Sequence, residues 1–265
     1  MRYVGGERVR KTKKSIHLAT LMLGAALLLG GCGGSLAAND STPTPSKETA
    51  TKQAKPDDQP VSKPPAKQVI AIPSDPASLA VLVNKQRALP SGYKPADLVQ
   101  PDVPFSSWGK DEKKLMRKEA AQALEQLFAA AKKQGIELVA VSGYRSYERQ
   151  QATYESALRR KGKESTAKYN AVPGHSEHQT GLAMDVSARS VGLRLVESFA
   201  ATAEGRWLAD HAHEFGFIIR YAKGKEDVTG YGYEPWHIRY VGKEIAQEIK
   251  SRGIVLEEYY SVSPK

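Results

Sequence analysis

Two short segments of the chain contain side chains of the kinds that bind zinc in enzymes. The segment S-E-H-Q-T-G-L-A-M-D-V contains His178 and Asp185, and the segment E-P-W-H contains His237. Two imidazoles and one carboxylate can hold zinc while leaving a fourth position open for water. Glu234 lies three residues before His237, where a carboxylate could take a proton from that water. These residues predict a zinc hydrolase.

The other histidines of the domain are weaker candidates for metal binding. His175 competes with the proposed set, because His175 and His178 could chelate one ion if the chain were helical there. The Pro-Gly pair just before His175 argues against a helix at that point. His211 and His213 fall in a predicted helix and are interpreted as surface or hydrogen-bonded residues. By contrast, a carboxylate in an apolar strand, such as Asp185, is costly to bury unless it is paired or metal-bound.

A third segment, S-G-Y-R-S-Y, places Arg145 where a predicted strand meets a predicted helix. Its guanidinium could bind a substrate carboxylate through two parallel hydrogen bonds, or it could form a structural ion pair. Gln150 and Ser176 could contact a substrate, or they could be helix-surface and capping residues. The residues alone leave these three roles open.

Hydrophobic periodicity predicts the elements that must position these side chains. The predicted helices cover 108–134, 146–160, 202–215 and 242–252, and Ser146 is a predicted N-cap with Gly162 beyond the end of its helix. The predicted strands cover 137–142, 182–187, 217–221 and 235–241. A loop is expected at 163–176 and a hairpin or longer turn at 223–232. Helices flanking a small antiparallel sheet define an α+β domain.

The first 31 residues have the pattern of a secretory signal. Six basic residues precede an apolar run at 18–29, which is too short to cross a bilayer comfortably. The run ends in Leu-Gly-Gly followed by Cys32, the single cysteine of the chain. This spacing resembles a bacterial lipobox and predicts cleavage before Cys32, with a diacylglycerol attached to its sulfur. A cleaved secretory signal with an incidental thiol is the alternative.

The segment after the predicted signal is too polar to fold by itself. Residues 32–68 are mostly Ser, Thr, Pro, Lys, Asp and Ala, and such a stretch cannot bury enough apolar surface to offset its ordering entropy. We therefore predict a disordered tether at 32–68 and one folded domain at 69–265. About half of the formal net charge of +10 lies in the first 31 residues, and the remainder forms no clustered patch. Nucleic acid is therefore not an expected partner.

Four extended motifs occur in an order that resembles a known family. They are V-L-V-N-K-Q-R-A-L-P-S-G-Y-K-P-A-D-L-V from Val81, S-G-Y-R-S-Y-E-R-Q from Ser142, P-G-H-S-E-H-Q-T-G-L-A-M-D-V from Pro173 and G-Y-G-Y-E-P-W-H-I-R-Y-V-G from Gly230. The domain resembles the VanY-type D,D-carboxypeptidases and the related LdcB-type L,D-carboxypeptidases, which are zinc peptidases that trim bacterial cell-wall stem peptides. One departure is Ala222, where the family usually has proline, and it puts the shape of a turn in doubt.

The resemblance implies a single zinc D,D-peptidase-like domain and a role for each candidate residue. It implies that zinc is the cofactor and that its ligands are His178, Asp185 and His237. It implies that Glu234 is the catalytic base. It further implies that the substrate's C-terminal end and scissile carbonyl are bound by Arg145, Gln150 and Ser176.

The expected activity is that of a D-alanyl-D-alanine carboxypeptidase, which removes the C-terminal D-alanine from peptidoglycan stem peptides with a zinc-bound water as nucleophile. The expected location is the extracytoplasmic face of the cell membrane in a Gram-positive-like envelope, held by the lipid on Cys32. Within the family, an L,D-carboxypeptidase acting on tetrapeptide stems is an alternative that the motifs do not separate. A non-catalytic peptidoglycan-binding lipoprotein is a second alternative, although the retained base and ligand residues favour an enzyme.

A serine-type D,D-peptidase is the alternative from another enzyme class. Ser165 and Lys168 fit the Ser-x-x-Lys pattern of penicillin-binding proteins, and Ser107 and Lys110 fit it too. The pattern is short, and the chain contains no Lys-Thr-Gly segment. The metal-dependent interpretation is therefore preferred.

Overall fold

The computed structural model describes residues 70–262, which form a single folded unit with its own core. The predicted signal, Cys32 and all of the predicted tether lie outside the described residues. Within 70–262, no helix combines the length and the apolar character that crossing a membrane requires.

The described chain alternates short strands with helices. The strands are β1 (Leu98–Val99), β2 (Met116–Arg117), β3 (Val139–Ser142), β4 (Ala183–Ser187), β5 (Phe217–Tyr221) and β6 (Glu234–Tyr240). The α-helices are α1 (Lys118–Lys133), α2 (Tyr147–Tyr169), α3 (Ala203–His211), α4 (Glu226–Thr229), α5 (Lys243–Arg252) and α6 (Leu256–Tyr259). Short 3-10 helices lie at Glu112–Lys114, Glu177–Thr180, Arg189–Val191, Glu197–Ala201 and Ala212–Phe215.

The main sheet has four strands in the order β3-β4-β6-β5, and each neighbouring pair is antiparallel. Strands β1 and β2 form a separate two-stranded antiparallel sheet. The largest apolar cluster combines the buried face of α1 with β4, β6 and α3, and it includes Leu124, Leu127, Met184 and Ile238. The α+β prediction with a small antiparallel sheet is confirmed.

The first predicted helix is wrong at its beginning, since α1 starts at Lys118 and not near residue 108. The preceding residues use their backbone groups for other partners. The carbonyls of Lys113 and Leu115 accept from the N–H groups of Gly143 and Tyr144, and the N–H of Arg117 donates to another loop. Because these groups are taken by tertiary contacts, the helical ladder cannot form before Lys118.

The N-cap prediction for α2 is confirmed, because the Ser146 hydroxyl accepts a hydrogen bond from the N–H of Arg149 at 3.3 Å. The predicted end is only partly right. Gly162, with φ of 76°, interrupts the helix, but the chain then turns helical again as far as Tyr169. The buried Thr166 donates its hydroxyl to the Gly162 carbonyl at 2.7 Å, which ties the second piece to the first.

Three other segments differ from prediction in detail. The helix predicted at 202–215 is divided into α3, capped by Thr202, and a 3-10 helix at Ala212–Phe215. The turn predicted at 223–232 contains the one-turn helix α4. The loop predicted at 163–176 is wrong for its first half, which belongs to α2. The second sheet, β1-β2, was not predicted, since two-residue strands leave no periodic signal.

Candidate active site

The register of the main sheet brings distant candidate residues together. Asp185 on β4 pairs with His237 on β6, and Ser142 at the end of β3 pairs with Asp185 from the other side. His178 enters from the 3-10 helix Glu177–Thr180, which ends at Gly181 with φ of 67°. A Cβ at position 181 would lie 2.9 Å from Leu98 Cδ2, so both the φ angle and the packing require glycine.

His178, Asp185 and His237 form a compact group of candidate metal ligands. One nitrogen or oxygen atom from each lies within 4.8 Å of the others. The Asp185 carboxylate lies between the imidazoles, with Oδ2 at 3.5 Å from His178 Nε2 and Oδ1 at 2.9 Å from His237 Nδ1. All three residues are buried, being 3–6% exposed. The predicted set therefore meets around one point in the interior.

The hydrogen bonds of His178 leave one ring nitrogen directed at this point. Its Nδ1 lies 2.7 Å from the carbonyl oxygen of Gly143. Because a carbonyl can only accept, Nδ1 carries the hydrogen and Nε2 has the free lone pair. Burial, together with the nearby Arg145 guanidinium, lowers the pKa of His178 to about 3. His178 is therefore neutral, which is the form that binds metal.

His237 lies between two carboxylates. Its Nδ1 is 2.9 Å from Asp185 Oδ1, and its Nε2 is 3.4 Å from Glu177 Oε2. Burial lowers the pKa of His237, but the hydrogen bonds to Asp185 and Glu177 outweigh burial and raise this pKa to about 9. In the metal-free chain His237 is therefore a cation at neutral pH, and a metal ion must displace a proton from it.

Glu234 shares the cleft with His237 although the two are three residues apart on β6. Strict alternation would put residues with odd spacing on opposite faces. The pairing of β5 with β6 shifts register between Ile219, which pairs with Ile238, and Tyr221, which pairs with Glu234. This irregularity accounts for both side chains facing the cleft. Burial raises the pKa of Glu234 to about 8 in the metal-free chain.

Arg145 is held by neighbours that its own motif and helix α2 supply. Its Nη1 donates to Gln150 Oε1 at 2.9 Å, and its Nη2 donates to Ser142 Oγ at 3.3 Å. The Gln150 amide nitrogen in turn donates to the Ala171 carbonyl at 2.6 Å. Ser176, which is buried, lines the same cleft. The three candidate substrate residues thus lie in one cleft, with Gln150 orienting Arg145.

The cleft around these side chains has a volume of about 470 Å³. The candidate metal residues, Glu234 and Arg145 line it together, and aromatic walls come from Tyr169, Tyr221, Tyr231 and Trp236. Hydrolysis of a bond next to an anionic terminus requires three groups. They are a cation at the three-residue group, a carboxylate beside it and a guanidinium nearby.

The structure places the competing candidates elsewhere. His175 Nδ1 lies 2.7 Å from the Asn84 carbonyl, so His175 does not join the metal group. His211 lies 2.8 Å from the Glu214 carboxylate and stacks on Trp207. Ser165 and Lys168 are exposed on α2 and are not among the residues that line the cleft.

The sequence interpretation missed the charged residues behind the metal group. Glu177, Arg220 and Arg239 are each at most 1% exposed, and both arginines form ion pairs with Glu177. A signal was present for Arg220, because it interrupts a strand that is otherwise apolar or aromatic. A buried arginine requires a buried partner, and Glu177 in the motif around His178 is that partner.

Two buried imidazole nitrogens and a buried carboxylate oxygen fit a zinc ion with an open coordination position. The second ring nitrogens of His178 and His237 are held by the Gly143 carbonyl and the Glu177 carboxylate. With a buried carboxylate beside them in a cleft, the fold and site define a metallopeptidase-type hydrolase.

Comparison with known proteins identifies the family. Residues 113–243 match the VanY family, described as D-alanyl-D-alanine carboxypeptidase. The chain is 55% identical over 186 residues to the putative carboxypeptidase YodJ of Bacillus subtilis, covering 70% of this chain and 68% of that protein. The protein therefore belongs to the VanY family of carboxypeptidases.

Solved structures of other peptidases are similar to this one. The LdcB LD-carboxypeptidase is 54% identical with a TM-score of 0.69, covering 72% of this chain and 89% of that one. The vancomycin resistance D,D-pentapeptidase VanY, solved in complex with Zn(II), is 34% identical with a TM-score of 0.55, covering 69% of this chain and 98% of that one.

Proposed function

We propose that this protein is a zinc-dependent carboxypeptidase that releases the C-terminal D-alanine from peptidoglycan stem peptides. The observation that carries the proposal is the meeting of His178, Asp185 and His237 in a cleft that also contains Glu234 and Arg145. When bound there, zinc would polarise the scissile carbonyl and lower the pKa of a water molecule at the open position.

Recognition of the substrate terminus is assigned to Arg145. An exopeptidase must bind a free carboxylate, and a guanidinium can do so through two parallel charge-assisted hydrogen bonds. Gln150 and Ser142 accept from the Arg145 guanidinium at 2.9 and 3.3 Å, which restricts its orientation before substrate arrives. Ser176 lines the same cleft and is proposed to contact the scissile carbonyl region.

The proton transfers are assigned to Glu234. During hydrolysis, water adds to the carbonyl carbon, the amide C–N bond breaks and the leaving nitrogen gains a proton. Glu234 would accept the proton that water loses and donate it to that nitrogen, so that no net proton is consumed by the residue. With a divalent cation held by His178, Asp185 and His237, the pKa of the Glu234 carboxyl would be lowered, so that Glu234 would be ionised and able to act as base.

The bond specificity has two candidates. We favour cleavage of an L,D bond, because the 54% identity and TM-score of 0.69 to the LdcB LD-carboxypeptidase exceed the similarity to the D,D-pentapeptidase VanY. Cleavage of a D,D bond is the second candidate, because the matched family is described as D-alanyl-D-alanine carboxypeptidase and an Enterococcus faecalis relative of that name is 36% identical.

Mass spectrometry of reaction products tests the activity and separates the two candidates. The purified, zinc-loaded protein is incubated with a stem pentapeptide ending in D-Ala-D-Ala and with the matched tetrapeptide ending in one D-Ala. Loss of alanine from the tetrapeptide supports L,D cleavage, and loss of a single alanine from the pentapeptide alone supports D,D cleavage. If neither peptide is shortened while zinc is bound, the proposal is wrong and a peptidoglycan-binding role takes its place.

We also propose that the protein is anchored to the extracytoplasmic membrane face through a lipid on Cys32. The proposal rests on the sequence pattern around Cys32. A Cys32→Ser variant expressed in a Gram-positive host should move from the membrane fraction to the medium. Persistence of the variant in the membrane fraction at the wild-type level would contradict the anchor.

A further inference from the structure

Four charged side chains are buried directly behind His237. Glu177, Arg220, Arg239 and Glu257 are each at most 2% exposed, and they form a continuous set of ion pairs. This set, called here the buried charge network, lies outside the group of candidate metal and substrate residues. Its side chains reach the candidate metal residues by a hydrogen-bond contact between Glu177 and His237.

Glu177 uses its two carboxylate oxygens differently. Its Oε1 accepts hydrogen bonds from Arg220 Nε and from Arg239 Nη1, both at 2.7 Å. Its Oε2 lies 3.4 Å from His237 Nε2. The two arginines thus fix the carboxylate plane and leave Oε2 directed at His237 Nε2. A carboxylate paired with arginines accepts hydrogen bonds, so Oε2 favours a hydrogen on that ring nitrogen.

Both arginines are themselves fixed by distant parts of the chain. Arg220 donates from Nη1 and Nη2 to the two oxygens of Glu257, at 2.8 and 2.6 Å, on helix α6. Arg239 donates from Nη2 to the carbonyls of Leu79 and Val81 at 3.0 and 2.8 Å. The carboxylate facing His237 is therefore braced from the beginning and the end of the folded domain.

Fold stability is a weak explanation for this network. Burying paired charges often stabilises a fold no better than apolar side chains of similar volume would, because each ion loses its hydration. The network does, however, orient the Glu177 carboxylate towards His237 Nε2, which is the ring nitrogen that faces away from Asp185. Partners in this position fix the tautomer and orientation of metal-binding histidines.

We propose that Glu177 is a positioning residue that keeps the hydrogen of His237 on Nε2 and so leaves Nδ1 free to bind zinc beside Asp185. Arg220 and Arg239 hold Glu177 in place for this role. The inference rests on the zinc site of the proposed function, but it concerns metal affinity and not the cleaved bond.

The Glu177→Gln variant tests the inference. The glutamine oxygen can still accept from the two arginines, and its amide group would then donate towards His237 Nε2. That nitrogen must become an acceptor, so the hydrogen moves to Nδ1 and blocks metal binding. We expect zinc affinity, measured by competition with a chromophoric chelator, to fall about 10- to 100-fold.

Glu257→Gln is the matched control. It neutralises a carboxylate of the same network that contacts Arg220 but none of the candidate ligands. The new amide oxygen can still accept from Arg220, and the bond between Arg220 and Glu177 is kept. The variant should therefore lower thermal stability, and its loss of zinc affinity should be smaller than that of Glu177→Gln. Unchanged zinc affinity in Glu177→Gln overturns the inference. Equal losses of zinc affinity in both variants also overturn it, because the network would then act only through general stability.

A measurement on the wild-type protein covers the case in which Glu177→Gln does not fold. In the zinc-loaded protein, nitrogen NMR should find the hydrogen of His237 on Nε2 and that of His178 on Nδ1. A hydrogen on His237 Nδ1 refutes the positioning role. Failure of the proposed function is distinguishable from failure of this inference. If the protein binds zinc with this tautomer but cleaves no stem peptide, the proposed activity is wrong and the inference stands.

Discussion

His178 and His237 are both buried beside Asp185, yet their proton affinities move in opposite directions. Burial and the Arg145 guanidinium lower the pKa of His178 to about 3, whereas two carboxylates overcome burial and raise the pKa of His237 to about 9. The difference arises because His237 has a carboxylate at each ring nitrogen, Asp185 and Glu177, whereas His178 has a neutral carbonyl at Nδ1 and the Arg145 guanidinium nearby.

Zinc affinity should consequently depend on pH through His237. Below pH 9 the metal-free chain holds a proton on His237 that must leave before both His237 and Asp185 can bind metal, so lower pH opposes binding. We expect affinity to weaken by about tenfold for each pH unit below about 9, with proton release visible in calorimetry in buffers of different ionisation enthalpy. Affinity that is constant between pH 6 and pH 8 would contradict this assignment.

Glu234 should be needed for turnover and not for zinc. The Glu234→Gln variant keeps the side chain's volume but cannot accept the proton from water. We expect kcat/KM on the preferred stem peptide to fall by about 10²- to 10⁴-fold, with zinc affinity close to wild type. Glu155→Gln, on the exposed surface of α2, serves as the control and should retain full activity. A Glu234→Gln enzyme with an unimpaired rate would remove Glu234 from the mechanism.

Arg145 should account for the preference for a free terminus. A lysine at this position keeps the charge but cannot form the paired hydrogen bonds of a guanidinium. We expect Arg145→Lys to lose about 10- to 100-fold in kcat/KM, since one charge-assisted hydrogen bond is worth about 1.5–3 kcal/mol. On a peptide with an amidated C-terminus, wild type and variant should be equally slow. If they differ on that peptide as much as on the free acid, Arg145 does not bind the terminal carboxylate.

At the scale of elements, the connection from β3 to α2 is the part that organises the cleft. The N–H groups of Gly143 and Tyr144 donate to the segment before α1, the Gly143 carbonyl accepts from His178, and Arg145 follows directly. The same contacts explain the error in predicting α1. Hydrophobic periodicity continues before Lys118, but the backbone there is paired with this connection, a contact that spacing cannot reveal.

Gly143→Ala should test how closely this connection is packed. A Cβ at position 143 would lie 2.5 Å from the Leu115 carbonyl oxygen and 2.9 Å from Met184 Cε. The loop must shift, so we expect the free energy of unfolding to fall by about 1–3 kcal/mol and zinc affinity to weaken as the carbonyl leaves His178. Gly92→Ala is the control, since its added Cβ meets nothing within 4 Å. Wild-type stability and zinc affinity in Gly143→Ala would argue against this account.

At the scale of the whole molecule, the zinc and serine alternatives predict opposite inhibitor responses. The folded domain assembles one cleft that contains the candidate metal residues, while the Ser165 and Lys168 pair lies exposed on α2. A chelator should abolish activity and added zinc should restore it, whereas a β-lactam should have no effect on the measured rate. Inactivation by the β-lactam with resistance to chelation would reverse the assignment of enzyme class.

The residue types and the order of the motifs were sufficient to predict the α+β fold, the four strands of the main sheet and the three residues that meet at the metal group. These predictions depend on local periodicity and on which side chains favour zinc, and both are properties of short segments. Element boundaries were less predictable, as the late beginning of α1 and the continuation of α2 beyond Gly162 demonstrate.

Only the tertiary structure decided what lies behind the metal group. The contact between Glu177 and His237 joins residues 60 positions apart, and Arg220 and Arg239 reach Glu177 from two different strands. Likewise, the register shift between β5 and β6 decides that Glu234 and His237 face one cleft. Such contacts depend on strand register, which is set by how whole elements pack their apolar faces, so no short stretch of sequence contains them.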